Sequence, residues 1–128
     1  MSSSIYGTTQ GQTVVFNQVD RNLGGGYNNT TGVFTAPVAG AYTFTLTFCM
    51  SYGSSYARSG ALSIMNNNVQ SIRVWQEMDN NGYQDTAPGT TVLSLNKGDQ
   101  VRVQADTARM FIDGSKISTF SGFLLSLS

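Results

Sequence analysis

"GVFTAPVAGAYTFTLTFCM", running from Gly32 to Met50, alternates strictly once it has passed its proline. In steps of two from Tyr42, one parity carries Tyr42, Phe44, Leu46 and Phe48, and the other carries Thr43, Thr45 and Thr47. Successive side chains of a strand point to opposite faces, so this period of two predicts a half-buried strand with an aromatic inner face. On a helix the same aromatics would scatter around the circumference. The β-branched threonines also suit a pleated surface, where their stiff side chains do not crowd a preceding turn. Pro37 and Gly40 shape the corner from which the strand departs.

The same grammar continues in both directions. Short apolar runs are separated by Gly, Asn, Pro and Ser clusters, and no long segment keeps apolar residues at helical spacing, so the chain is predicted to be all-β. Strands are expected over Thr13–Val19, Gly32–Ala36, Ala41–Met50, Ala61–Asn66, Val69–Trp75, Thr91–Leu95, Gln100–Ala105 and Ser118–Ser126. Asn66-Asn67-Asn68 reads as a tight hairpin turn, because Asn tolerates the left-handed conformation, and Gly98-Asp99 as another. So many strands bury their apolar faces best as a sandwich or jelly roll. The closing run "FSGFLLSLS" is expected to be a central strand, since an exposed edge this apolar invites aggregation. No linker or internal repeat divides the chain, so residues 1–12 read as an N-terminal segment before one domain over residues 13–128.

Composition narrows the function classes. Charged residues make up 11% of the 128 positions, against roughly 25% in an average soluble protein. Ser, Thr, Asn, Gln and Gly supply the polar surface instead, a composition that suits an extracellular or matrix protein. Seven basic and seven acidic residues cancel, which leaves no global attraction to nucleic acid or to an anionic membrane. The single cysteine, Cys49, excludes an internal disulfide framework and reads as a packed thiol or an intermolecular bridge. No apolar window has the length of a membrane span. The start, MSSSIYG, lacks the charged and apolar regions of a leader, so any secretion signal is expected to have been removed or never present.

Few groups here do covalent chemistry. Histidine is absent, which removes the usual general base of hydrolytic triads, and neither a nucleophile elbow nor a phosphate-binding glycine loop occurs. "NLGGGYNNTTG" reads as a flexible loop between strands, and it contains overlapping glycosylation sequons at Asn28 and Asn29. The acidic residues Glu77, Asp79 and Asp85 form the one metal-like constellation, with oxygen ligands that suit calcium; a solvated loop is the alternative. They do not make an EF-hand, because Gln84 stands where that loop needs glycine. "SYGSSYARSG" places Tyr52, Tyr56 and Arg58 in one expected loop, either a contact surface for sugar or protein or an ordinary loop with packed tyrosines.

The order of these features is more specific than any one of them. The run "VVFNQVDRNLGGGYNNTTGVFTAPVAGAYTFTLTF" resembles the signature of the C1q globular-head domain family. The matching positions are Phe16, Asn22, Gly26, Tyr27, Gly32, Phe34, Pro37, Gly40, Tyr42 and Phe44. The likeness continues through Leu93, Leu95, Gly98, Asp99, Val101 and Val103 and closes on Phe120, Gly122, Phe123 and Leu124; Arg102 replaces an aromatic often found between the paired valines. The resemblance implies a jelly-roll β-sandwich of the C1q/TNF-like type, a compact homotrimer, and a secreted binding protein rather than an enzyme. It implies lectin-like recognition of glycans or of microbial or cell-surface ligands; a structural or signalling head domain is the alternative. Apical loops containing Tyr52, Tyr56, Arg58 and Tyr83 would then make the contacts. Some members of the family bind calcium in the loop before the strand matching "TVLSL", where Asp85 falls, with Glu77 or Asp79 as the second ligand.

Overall fold

The structure, a computed structural model, describes residues 5–16, 26–28, 30–47, 59–77, 89–109, 111–112 and 119–127. Among these residues the chain is all strand and turn. In chain order the strands are β1 (Ile5–Tyr6), β2 (Thr13–Val14), β3 (Tyr27–Asn28), β4 (Val33–Thr35), β5 (Gly40–Thr47), β6 (Ser59–Asn66), β7 (Val69–Glu77), β8 (Gly89–Leu95), β9 (Gln100–Ala105), β10 (Phe111–Ile112) and β11 (Thr119–Leu127). All pairings are antiparallel.

Two sheets carry the fold. One has the order β11-β5-β8, and the other runs β3-β4-β9-β6-β7 with β2 sharing an edge of β9. The short β1 and β10 pair separately, which ties the first residues to the segment after β9. The parity expected for the opening stretch holds: Tyr42, Phe44 and Leu46 are buried, Phe44 at 2% exposure. Phe48 lies outside the described residues. Phe34 of β4 meets Tyr42 and Phe44 of β5 edge-on at 5.6 and 5.4 Å, so aromatic contacts join the two sheets. Phe44 stacks on Phe120 of β11 at 5.7 Å. A Cβ at Gly122, the residue paired with Phe44, would stand 2.6 Å from the Phe44 ring, so only glycine gives that ring room. Val14, Leu62, Ile64, Val101 and Val103 fill the core from the larger sheet. Tyr42 donates its hydroxyl hydrogen to the Val38 carbonyl at 2.7 Å, which ties down the Pro37 corner.

Asn67 turns the β6–β7 hairpin at φ 53° and Gly98 turns β8 into β9 at φ 93°, as the Asn and Gly signals predicted. Three differences stand out. The pairs Ile5–Tyr6, Tyr27–Asn28 and Phe111–Ile112 form two-residue strands where none was expected; Tyr27–Asn28 falls within the run read as a flexible loop. Such short pairings carry no period for a sequence reading to detect. In the first expected segment regular strand covers Thr13–Val14 but not Val15 or Phe16, and positions 17–19 lie outside the described residues. Finally, β11 is not central: among the described residues it borders only β5, and β5 is the middle strand of its sheet.

Tyr27 gives the fold a pH dependence. Burial pushes its phenol above the ordinary 10.0, although the hydrogen bond from the Phe16 backbone N–H works in the other direction. The folded state thus holds the phenolic proton more tightly than the unfolded chain. Its contribution to stability is complete below pH 10.0 and is lost as pH rises through the higher folded value. We expect the urea midpoint to fall on the alkaline side, and Tyr27→Phe to have a lower midpoint at neutral pH but a shallower alkaline decline. Equal alkaline slopes in both proteins would remove Tyr27 as the cause.

Candidate functional site

Most of the residues singled out from the sequence, Tyr52, Tyr56, Arg58, Tyr83, Asp79 and Asp85, lie outside the described residues, as does Cys49. Glu77 is the last residue of β7, and its backbone pairs with Ser59, the first residue of β6. The start of β6 and the end of β7 therefore lie at the same end of the larger sheet. Among the described residues no group of three carboxylate, thiol or imidazole side chains could hold a metal ion. Asn28 is exposed, and its Oδ1 accepts the backbone N–H groups of Thr30 and Thr31 at 2.8 and 3.2 Å.

The two outer faces differ in chemistry. On the smaller sheet, Phe123 of β11, Thr43 of β5 and Val92 of β8 lie side by side in one row. This row has the parity opposite to the aromatic core, so it faces away from it. Val92, Phe123, Leu125 and Leu127 are each more than half exposed. Leu125 sits at a break in the β11–β5 register, between Leu124 and Ser126. Beside this apolar row, the Thr45 and Thr90 hydroxyls approach to 3.3 Å.

The outer face of the larger sheet is polar and tied together. The Asp106 carboxylate accepts hydrogen bonds from the Ser63 hydroxyl, from Arg73 Nε at 3.2 Å and from Gln104 Nε2 at 3.1 Å. Gln104 Oε1 accepts from Arg102 Nη2 at 3.0 Å, and Arg102 Nη1 reaches the Thr13 hydroxyl at 3.4 Å. Arg73 Nη2 also donates to Gln70 Oε1 at 3.3 Å. The network thus crosses β7, β6, β9 and β2. Trp75, two residues from Arg73 on the same parity of β7, is exposed. None of these residues had been singled out as a site from the sequence. A signal was present in "SIRVW", where Arg73 and Trp75 alternate with the apolar Ile72 and Val74.

No helix among the described residues is long and apolar enough to cross a membrane. The sequence model of the C1q domain matches residues 1–125. Complement C1q tumor necrosis factor-related protein 3 of Homo sapiens is 33% identical over 118 residues, covering 92% of this chain and 46% of that protein. Its Mus musculus counterpart is 31% identical over the same length and shares. The chain thus spans less than half the length of these relatives. Among solved structures, the globular domain of zebrafish complement 1qA protein superposes with a TM-score of 0.69 at 22% identity, covering 98% of this chain and 97% of that one. Rabbit GITRL superposes with a TM-score of 0.54 at 11% identity, over 77% and 74% of the two chains. These two likenesses establish the fold.

Proposed function

The chain belongs to the C1q domain family, and from that premise we propose that it is a trimeric extracellular recognition head that binds glycans or microbial and cell-surface ligands. The observation that carries this reading is the unequal division of its surface. Exposed apolar rows of this kind mark association faces, and the row through Phe123 and Val92 suits burial against further copies of the chain. Three copies around a closed axis leave the polar sheet and the loops free, and three weak sites then act together through avidity. The protein works by binding rather than by catalysis.

In this reading Tyr52, Tyr56, Arg58 and Tyr83 contact the ligand, and Glu77, Asp79 and Asp85 supply the oxygen donors of a calcium site. The test is binding to an array of glycans and bacterial cell-wall polysaccharides, in calcium and again in chelator. We expect Tyr56→Ala to weaken binding by about tenfold, a loss of the size of one aromatic contact, while leaving the assembly mass unchanged. Chelator should weaken binding to a similar degree. Binding that survives both changes intact would remove the loops and the calcium from the account.

A second reading, a structural or signalling head, is favoured by the 33% identity to a tumor necrosis factor-related protein. A trimer that binds no saccharide on the array would support it.

A further inference from the structure

On the outer face of the larger sheet, β6 presents two small residues, Ala61 and Ser63, between the longer side chains of its neighbours. Trp75 lies opposite Ala61, and Arg73 and Gln104 lie on either side of Ser63. Gln70 and Arg102 flank Met65 in the same way one step further along. Trp75 and Arg73 therefore stand side by side on one face, with Gln104 across Ser63 and Arg102 across Met65.

Trp75 is the only tryptophan of the chain and is 56% exposed. Arg73 is also half exposed, but it is not free to swing, because Asp106 and Gln70 hold two of its nitrogens. Its Nη1 makes no hydrogen bond among the described residues. Asp106 is 13% exposed and has three donors, so it serves as an anchor beneath the arginine. Within the hydrogen-bonded network itself, Arg73 and Arg102 set against Asp106 leave one positive charge.

These parts have a common purpose. An indole face offers an apolar plate to the C–H side of a sugar ring, and a guanidinium held through its other two nitrogens offers the N–H donors of the remaining one to a carboxylate. Tethering prepays the ordering of a long side chain, which would otherwise weaken binding. We infer that this face binds an acidic saccharide, with a sugar ring on Trp75, its carboxylate on Arg73, and Gln104 and Arg102 receiving the next unit. A protein partner fits less well: Trp and Arg also anchor protein interfaces, but inside a ring that excludes water, whereas the side chains around Arg73 here are the amides and guanidinium group of Gln70, Gln104 and Arg102. The inference rests on the glycan reading above but places the ligand on the sheet rather than on the loops.

The single tryptophan makes the test direct. Oligogalacturonate, with one carboxylate per ring, would be titrated against the full chain in EDTA, which separates this face from a calcium site. Its methyl ester serves as the neutral control. We expect the acid to protect Trp75 fluorescence from acrylamide quenching, and the ester to bind about tenfold more weakly or not at all. By calorimetry, Trp75→Ala and Arg73→Gln should each lose about tenfold in affinity, and Trp75→Phe should retain most of it. Binding of oligogalacturonate with unchanged quenching, and with full affinity in Trp75→Ala, would overturn this site while leaving the glycan reading intact. Equal binding of acid and ester would overturn its acidic preference. A fall in the assembly mass of Trp75→Ala would reassign Trp75 to a subunit interface and overturn the inference. If neither this saccharide nor any on the array binds, the glycan reading fails and this inference fails with it.

Discussion

Phe44→Asp is expected to yield no soluble folded protein. The Phe44 ring is 2% exposed, packs against Phe34 and Phe120, and occupies the space that Gly122 leaves open. Removing a buried ring of this size costs about 3–5 kcal/mol, and an unpaired carboxylate in the same space adds several more. Small domains hold a margin of about 5–15 kcal/mol, so the substitution consumes most or all of it. Phe44→Leu separates charge from volume: it should remain soluble and melt at a lower temperature. A Phe44→Asp protein with the circular dichroism and melting point of the parent would mean that the ring does not face the core.

Val92→Arg and Phe123→Arg are expected to leave the fold standing and to abolish the proposed trimer. Both residues face away from the core in one row across the smaller sheet, with Thr43 between them. In a single chain each change exchanges one exposed side chain for another, with an expected effect on stability within about 0.5 kcal/mol. In a closed trimer every substitution appears three times, and each guanidinium must leave water without a partner at a cost of several kcal/mol. The trimer should therefore fall to monomers with an unchanged far-ultraviolet spectrum. Persistence of the full assembly in both variants would remove this row from the interface.

The sequence exposed the fold where the signal is local. Strand alternation turns directly into faces, so Tyr42, Phe44 and Leu46 could be assigned to the core from their spacing alone, and Asn67 and Gly98 marked turns through their tolerance of positive φ. The role of β11 was harder to read. An apolar residue directed outward, such as Phe123, has the same letter as one directed inward, such as Phe120, and "FSGFLLSLS" therefore suggested a strand enclosed on both sides. The tethered polar face was less legible still. Arg73 and Asp106 are brought together by the pairing of β6 with both β7 and β9, and no short window of sequence encodes that juxtaposition. The loop residues Tyr52, Tyr56, Arg58 and Tyr83 follow from the aromatic and cationic side chains of their stretches and from the family resemblance, and with Asp79 and Asp85 they are proposals that binding measurements decide.

Light scattering of the purified chain in dilute neutral buffer reaches furthest into the account, because the avidity argument and the role of the apolar row both depend on assembly. A mass of about three times 13.7 kDa, unchanged on dilution through the micromolar range, is the predicted result. A monodisperse species of 13.7 kDa under the same conditions would contradict it.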